Sequence, residues 1–223
     1  MRSIITHYYN EEYLLPFWIN HHKKIFDKGI LIDYHSTDNS NKICKSLLPD
    51  GWKVIKTENK NFSAELCDLE VSWYEKNILG WKIALNVTEF FVCPKINYLE
   101  EECKKKKLIG FKSSGVIMVD KYPEILVKNN IPIIEQKKHG FKQSEINSSN
   151  FKKEIRFILR QNRTRLYHRN SIGVYLPGRH ETHLSNIGFS EKSSIFWYGF
   201  SPWNKNIINR KLQIKKKMPA NDI

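Results

Sequence analysis

Short apolar runs alternate with stretches of helical periodicity over the first ninety residues of the chain. Runs that favour strands lie at residues 4–9, 30–32, 52–57 and 80–85. Between these runs, apolar residues recur every three or four positions and predict helices over residues 14–26, 43–48 and 62–76. This order predicts a mainly parallel sheet with helices on both faces, which is a Rossmann-like α/β fold. In open sheets of this kind, ligands bind outside the carboxyl ends of the strands.

The second half of the chain has a less regular pattern. A charged helix is predicted over residues 99–107, strands over 108–112 and 115–120, and a polar loop over 136–150. The end of the chain is basic, with Arg210, Lys211 and three lysines at 215–217. We find no internal repeat and no linker, so a single domain over residues 1–223 is expected.

The charge of the chain limits the kinds of partner that it favours. Lys and Arg number 37 and Asp and Glu number 23, which gives a formal net charge of +14. Such a surface favours polyanions, anionic membranes or phosphorylated small molecules. Ile, Lys and Asn are all abundant, so a coding bias toward A and T is an alternative source of part of this charge. A hydrophobic content of 40% excludes a disordered chain.

Three sequence features predict a cytoplasmic protein. No stretch approaches the roughly 20 apolar residues that cross a bilayer. The first residues run directly into polar ones, unlike a signal peptide. Four cysteines occur without a CxxC pair, as is typical of free thiols in a reducing compartment. Because the net charge is positive, a peripheral location of the protein at the inner face of the membrane is the alternative.

Polar stretches follow the first two predicted strands. Residues 7–12 read His-Tyr-Tyr-Asn-Glu-Glu, and residues 33–40 read Asp-Tyr-His-Ser-Thr-Asp-Asn-Ser. This pair resembles the start of the family 2 glycosyltransferases and related GT-A enzymes. In that family the two turns form the base and ribose pocket of a nucleotide sugar. For Asp38 and Ser40 taken alone, a turn that caps the next helix is the favoured alternative.

A third stretch, residues 81–90, is similar to the strand that ends in an Asp-x-Asp-Glu-Phe motif in this superfamily. In the family those acids hold a divalent ion that binds the donor diphosphate. Here Asn86 and Thr88 replace both aspartates, and only Glu89-Phe90 matches. Neutral amide and hydroxyl oxygens are weak ligands for a hard cation. Two alternatives follow: either Glu89 and His180 hold Mn²⁺ or Mg²⁺, or cationic side chains neutralise the diphosphate.

Cationic candidates lie late in the chain. Arg179 and His180 follow a glycine, in a stretch that resembles the later Gly-x-His element of these enzymes. Lys211 lies in the basic tail and suits a leaving-group oxyanion. The alternative is a solvated basic surface, which we also consider for Arg165, His168 and Arg169. The resemblance implies a nucleotide-sugar site formed by His7, Tyr9, Glu11, Asp33, Ser36, Asp38, Asp68, Asn86, Thr88, Glu89, Arg179 and Lys211.

An inverting transfer needs a carboxylate that deprotonates the acceptor hydroxyl. Asp120, at the end of a predicted strand, and Glu181 are the candidates, with Glu135 as a further one; a surface acid is the alternative for each. The aromatic residues 197, 198 and 203 can form a sugar platform or belong to the core.

The resemblance as a whole implies a single GT-A domain, with residues 1–95 as the nucleotide-binding half and residues 96–223 as the acceptor-side half. It implies transfer of a sugar, with inversion, from a nucleotide-sugar donor to a glycan or lipid-linked acceptor in cell-surface polysaccharide or glycolipid synthesis. Two rivals stay open. One is a non-catalytic nucleotide-binding domain of the same fold, and the other is a basic nucleic-acid-binding protein, for which no recognisable motif is present.

Overall fold

The computed structural model describes residues 1–122, 126–142 and 163–213. Its strands are β1 Arg2–Tyr8, β2 Lys28–Asp33, β3 Trp52–Lys56, β4 Trp81–Ala84, β5 Glu89–Val92, β6 Gly110–Met118, β7 Gly140–Lys142, β8 Arg165–His168 and β9 Ile187–Trp197. Its helices are α1 Leu15–His22, α2 Ser40–Leu47, α3 Ala64–Glu75, α4 Ile96–Lys105, α5 Ile133–Gln136 and α6 Lys205–Gln213. Within the described residues, no helix is long and apolar enough to cross a membrane.

One curled sheet joins all of these strands. The described strands follow the order β3-β2-β1-β4-β8-β6-β9-β5, and β7 pairs with β6. The four amino-terminal strands are parallel, with Ile5 opposite Ile30 and Ala84. The sheet is mixed beyond β4, since β8 runs antiparallel to β4 and β6, whereas β9 runs parallel to β6. The predicted Rossmann-like α/β sheet is confirmed.

Alternation along the inner strands separates two apolar layers. Ile4, Leu31 and Ile83 belong to a large core that also holds residues of α1, α2 and α4. Ile5 and its neighbours on β2 and β4 face the other way and pack with Val71 of α3. Because successive side chains of a strand point to opposite faces, α3 covers one face of the sheet and α1 and α2 cover the other.

Several predicted boundaries differ from the structure. Helix α1 begins at Leu15 and ends at His22 rather than continuing to Phe26, whose ring is buried in the core. The two strands predicted over 108–120 are the single strand β6. Strands β5, β8 and β9 were not predicted, and the predicted loop over 136–150 contains the end of α5 and all of β7. Residues 143–150 and the lysines at 215–217 lie outside the described residues.

A buried polar cluster fastens the loop of residues 170–183 to the end of α3. The Glu75 carboxylate accepts hydrogen bonds from the Gly173 N–H (2.7 Å) and the Tyr175 hydroxyl (2.6 Å), and it lies 3.1 Å from Nε2 of His168. The Lys82 ammonium donates to the carbonyl oxygens of residues 75, 78, 170 and 171. His168 is fully buried, which excludes the solvated surface considered for it.

Candidate functional site

A cleft of about 200 Å³ opens at the carboxyl ends of β1, β2 and β4. Its walls are formed by His7, Tyr8, Tyr9, Glu11, Tyr34, Phe62, Cys67, Asn86, Val87, Thr88 and Arg210. Five of these were predicted from the sequence: His7, Tyr9, Glu11, Asn86 and Thr88. The aromatic rings of Tyr34 and Phe62 were not predicted, whereas Arg210 belongs to the basic tail that was considered for the phosphates. The cleft therefore combines flat aromatic surfaces, which can stack on a base, with a cation.

The turns after β1 and β2 are joined by hydrogen bonds between them. The Asn10 side chain accepts from the Thr37 N–H (2.7 Å), and the Ser36 hydroxyl accepts from the Asn10 N–H (3.1 Å). Asp38 accepts from the N–H groups of Glu12 and of residue 40, while Ser40 accepts from the Glu11 N–H. Ser36, Asp38 and Ser40 thus hold the two turns in register. Of these bonds, only the one from the N–H of residue 40 to Asp38 lies at the start of α2, where the capping alternative expects it.

Asp33 is buried at the end of β2 with both carboxylate oxygens engaged. Oδ1 accepts from the Ser36 N–H (2.9 Å), and Oδ2 accepts from the Asn41 side chain (3.0 Å). Asn41 in turn accepts from the hydroxyl of Tyr8, which forms the cleft wall beside it (2.6 Å). This chain of bonds connects Asp33 to the cleft. A contact of Asp33 with a nucleoside stays a prediction.

Helix α3 holds a cation against the Asn86 position. Asp68 on α3 forms an ion pair with Arg179 and accepts from the Gly178 N–H (2.8 Å). Arg179 then donates through Nη2 to Oδ1 of Asn86 (3.0 Å). The backbone of Arg179 is left-handed, with φ of 59°, and Gly178 before it has φ of 85°. The predicted residues Asp68, Asn86 and Arg179 are therefore in direct contact, and the left-handed turn is what directs Arg179 at Asn86.

Glu89 forms a buried ion pair with Arg165 of β8. The two side chains are 0% and 1% exposed, and two parallel bonds of 2.7 and 2.8 Å join them. Glu89 also accepts from the Asn86 N–H (2.8 Å), which fixes the turn that follows β4. Burial raises the pKa of Glu89, but the charge and hydrogen bonds of Arg165 outweigh burial, so the pKa of Glu89 lies below its ordinary value.

His180 lies on the other side of Arg165. Its Nδ1 is 3.0 Å from Nη1 of Arg165. Burial, with the charge of Arg165 second, lowers the pKa of His180 to about 4, so the ring is neutral at physiological pH. The structure thus brings Glu89 and His180 together, but around the guanidinium of Arg165. Arg165 is almost fully buried, so the solvated surface considered for it is wrong.

The side chains at this motif do not suit a divalent cation in the conformation observed. Both Glu89 oxygens face Arg165, Asn86 faces Arg179, and a metal ion here would lie beside two guanidinium groups. Within residues 1–122, 126–142 and 163–213, no group of three His, Cys, Asp or Glu side chains is arranged to hold a metal ion. The residues present fit neutralisation of an anion by arginine better than binding of a metal.

His7 and Glu70 form a second polar pair at the cleft. His7 Nε2 lies 2.9 Å from Glu70 Oε2, which also accepts from the Thr57 hydroxyl (2.9 Å). Burial lowers the pKa of His7. Glu70 therefore acts by orienting His7, which lines the cleft, rather than by lining it itself.

Helix α6 brings the basic end of the described chain to the cleft. Arg210 forms a two-pronged ion pair with Glu11, and both residues line the cleft. Lys211 lies with Nζ 4.0 Å from the centre of the Phe200 ring and 5.6 Å from that of Trp197. Burial, together with the neighbouring Arg210 and Arg163, lowers the pKa of Lys211 to about 8. An anion beside α6 would relieve this crowding of like charges.

The three carboxylates considered as bases lie outside the cleft wall. The Asp120 carboxylate accepts from the Ser201 hydroxyl (2.6 Å) and lies 3.4 Å from the Lys137 ammonium. Glu181 pairs with Lys112 at 2.7 Å and is 42% exposed. Glu135 lines a separate groove beside α1.

The aromatic residues near the end of the described chain divide between core and surface. Tyr198 is fully buried in the core, and Trp197 is nearly so. Trp203 is about half exposed. Of the three considered for a sugar platform, only Trp203 therefore presents a free face to solvent.

Comparison with solved structures adds a fold assignment. GalNAc-T7, in a structure with UDP, GalNAc and Mn²⁺, aligns over 94% of this chain and 47% of its own, at 13% identity and TM-score 0.51. TarS of S. aureus aligns over 57% and 38%, at 15% identity and TM-score 0.38. Glucosyl-3-phosphoglycerate synthase from Mycobacterium tuberculosis, in a complex with Mn²⁺ and UDP, aligns over 99% and 81%, at 11% identity and TM-score 0.46. No family model and no curated protein matches the sequence.

The match to GalNAc-T7 covers nearly the whole chain, and this chain has the GT-A fold that the sequence resemblance implied. At 13% identity the match carries the fold alone. The chain spans less than half of the length of GalNAc-T7 and of TarS. The Mn²⁺ in the GalNAc-T7 structure agrees with the prediction that a divalent cation can accompany this fold.

Proposed function

We propose that this chain is a glycosyltransferase that moves a sugar from a nucleotide-sugar donor to a glycan or glycoconjugate. The observation that carries the proposal is the convergence of predicted motifs on one cleft at the carboxyl edge of a GT-A sheet. The turn after β1 supplies Tyr9 and Glu11, and the turn after β4 supplies Asn86 and Thr88. GalNAc-T7, which has the same fold, was solved with a nucleoside diphosphate and a sugar.

In this proposal the donor nucleoside lies against the aromatic walls of the cleft. Tyr9, Tyr34 and Phe62 offer ring faces for the base, and Asp33 reaches the pocket through its bonded neighbours. The diphosphate lies toward Asn86, where Arg179 approaches from the loop of residues 170–183, and toward Arg210 and Lys211 of α6. In the proposed division, residues 1–95 are the nucleotide-binding half and residues 96–223 the acceptor-side half, although the second half also supplies Arg179, Arg210 and Lys211 to the diphosphate.

We propose further that these cations supply most of the charge neutralisation that a metal ion supplies in relatives with two aspartates. Arg179 already contacts the Asn86 amide, so its positive charge stands at the position of the replaced acids. For Glu89 and His180 to ligate an ion instead, the buried pair of Glu89 with Arg165 would have to open. That rearrangement leaves the buried guanidinium of Arg165 without its countercharge, at a cost of about 3–5 kcal/mol.

The reaction is proposed to invert the anomeric carbon. The acceptor hydroxyl gives its proton to a carboxylate as its oxygen bonds to C1, while the bond from C1 to the diphosphate oxygen breaks. Asp120 and Glu181 are the carboxylates proposed as the base; the Asp120 side chain is buried beside Ser201 and Lys137, whereas Glu181 is exposed and paired with Lys112. Arg179 and Arg210 stabilise the negative charge of the departing diphosphate. A cell-surface polysaccharide or a lipid-linked glycan is the acceptor proposed.

The test is a thermal-shift and calorimetry panel of nucleoside diphosphates and nucleotide sugars, each with EDTA and with Mn²⁺. A ligand at 100 times its Kd should raise the stability by about 2.7 kcal/mol. We expect one nucleotide to bind in EDTA, with at most a severalfold gain from Mn²⁺. Arg179→Gln should weaken this binding roughly tenfold or more, the scale of a lost hydrogen bond to a charged group. Arg169→Gln, on an exposed arginine, is the matched control.

Two results would count against the proposal. Failure of every nucleoside diphosphate to bind would remove the nucleotide site altogether. Binding that is abolished by EDTA and fully restored by Mn²⁺ would show that an ion is held after all, and the role given to Arg179 would be wrong.

A non-catalytic nucleotide-binding domain is the second candidate. The replacement of both motif aspartates by Asn86 and Thr88, together with the engagement of Glu89 by Arg165, favours it. Tight binding of a nucleotide sugar without hydrolysis or transfer, across a panel of acceptors, would select this candidate.

A further inference from the structure

The outward face of α3 carries an exposed apolar stripe. Leu66, Leu69 and Trp73 are 44%, 66% and 69% exposed and lie three and four positions apart. This spacing places them on one side of the helix, opposite the buried positions Cys67 and Val71. A helix of a water-facing protein normally presents polar residues there. We call these three residues the α3 stripe.

The stripe continues into a groove of about 450 Å³ at the carboxyl end of α3. The groove is lined by Met1, Ser3, Lys28, Ile30, Gly51, Lys53, Trp73, Tyr74, Asn77, Ile78 and Leu79. Strand register explains its composition, because Ser3 is opposite Lys28 and Ile30 is opposite Lys53 on the sheet face that α3 covers. We call it the α3 groove.

Two features of the α3 groove point to an amphiphilic anion. Its charged lining residues are two lysines, Lys28 and Lys53, and no carboxylate of the described part of the chain lines it. Ser3 is 1% exposed, and its hydroxyl has no hydrogen-bond partner among the described residues. At the same time Leu79 is 81% exposed at the rim and Trp73 forms a wall. The surface therefore combines apolar side chains, a tryptophan and positive charge.

We propose that the α3 stripe and the α3 groove dock this protein on an anionic phospholipid bilayer. Leu69 and Trp73 enter the boundary between head groups and acyl chains, where tryptophan is favoured because its ring is apolar and its N–H is polar. Lys28 and Lys53 contact the lipid phosphates, in keeping with the net charge of +14. A bilayer fits better than a protein partner because the exposed apolar residues are few and lie beside two lysines, whereas protein interfaces need a broad complementary patch.

Helix α3 connects this surface to the cleft, because its two ends lie at the two places. Phe62, just before α3, and Cys67, in its first turns, line the cleft, while Trp73 lies at the groove. Helix α3 has 12 residues and is therefore about 18 Å long. A bilayer that lies along the α3 stripe passes beside the cleft. A bilayer beside the cleft would favour lipid-linked acceptors, and this consequence rests on the proposed function. The docking itself does not depend on the proposed function.

The test is flotation with phosphatidylcholine vesicles and with vesicles that contain 30% phosphatidylglycerol. We expect binding to the anionic vesicles only, and weaker binding at 0.5 M salt. Leu69→Ser/Trp73→Ser should reduce the partition coefficient at least tenfold, and Phe189→Ser, at an exposed phenylalanine of β9, should not. Lys28→Ser/Lys53→Ser should reduce it roughly tenfold or more, whereas Lys23→Ser/Lys24→Ser, with the same charge change after α1, should reduce it far less.

Three outcomes would overturn the proposal. The first is an absence of binding to anionic vesicles, and the second is binding that falls equally in the test and control variants. The third is a dimer, seen by analytical ultracentrifugation, that Leu69→Ser/Trp73→Ser abolishes, since a second copy would then cover the stripe. Neither donor nor turnover is needed for vesicle binding, so failure of sugar transfer would leave this result intact.

Discussion

The buried pair of Glu89 and Arg165 should make a single neutralising substitution costly. In Glu89→Gln the guanidinium of Arg165 stays in a site where both partners are at most 1% exposed, with its countercharge removed. Breaking a buried pair from one side costs about 3–5 kcal/mol. For a chain of this length that corresponds to a fall in melting temperature of about 6–20 °C, at 2–4 °C per kcal/mol. The loss is large against a total stability of about 5–15 kcal/mol.

Urea unfolding followed by tryptophan fluorescence measures this loss, and a double-mutant cycle assigns it. Arg165→Met alone should also destabilise, because Glu89 is then buried without its partner. The double variant Glu89→Gln/Arg165→Met should lose less than the sum of the two single variants, with a coupling of about 2–3 kcal/mol. The exposed pair of Glu181 with Lys112 provides the control, and Glu181→Gln should change stability by about 1 kcal/mol or less.

The reasoning would be refuted by a Glu89→Gln protein as stable as the original. It would equally be refuted by single-variant losses that add up in the double variant, because the two residues would then not act as a unit. A stable Glu89→Gln variant that loses tight Mn²⁺ binding would identify Glu89 as a metal ligand instead.

Three further predictions follow from particular contacts. Asp33→Ala should weaken nucleoside diphosphate binding by about 1–3 kcal/mol, measured by calorimetry, and unchanged affinity would place the nucleoside elsewhere. Lys82→Met removes an ammonium that donates to four carbonyl groups and should lower the unfolding free energy by about 3 kcal/mol. Lys53→Met, at an exposed lysine, should change it by less than about 0.5 kcal/mol. Burial lowers the pKa of His180 from 6.5 to about 4, so the unfolded chain takes up a proton there before the folded one does, and stability falls as the pH drops from about 6.5 toward 4. The urea midpoint should therefore fall between pH 7 and pH 5, and fall less in His180→Gln; an equal fall in both proteins would contradict the assignment.

The first half of the fold could be predicted because each element is encoded locally. Strand runs such as residues 30–32 and helical spacing such as residues 62–76 need no distant partner to be recognised. Helix α1 shows the limit of this approach. Asn10 has the residue type of a helix cap, yet its backbone is left-handed, with φ of 51°, and its side chain serves residues 37 and 38 in the next turn. Asn10 therefore does not cap α1, which begins at Leu15, and no local pattern contains the tertiary hydrogen bonds that engage its side chain.

The candidate site was predictable at the strand ends and not beyond them. His7, Asn86 and Glu89 could be chosen because the carboxyl ends of parallel strands meet at one edge. Arg165 could not, since its importance depends on the pairing of β8 with β4 and β6, which brings it to Glu89 from 76 positions away in the sequence. In a chain with 37 Lys and Arg, charge alone does not distinguish a buried arginine from a surface one.

The contact between Arg179 and Asn86 has a consequence for attempts to redesign the chain. Restoring aspartates at positions 86 and 88 is the obvious route to a conventional metal-binding motif. Yet an aspartate at position 86 would meet the guanidinium of Arg179, which lies 3.0 Å from the present amide, and would form an ion pair with it. A redesign for Mn²⁺ therefore has to replace Arg179 at the same time, and Asp68, left without its partner, would need a neutral substitute as well. A change from the arginine-containing site to a metal-binding site therefore requires linked substitutions at positions 68, 86 and 179.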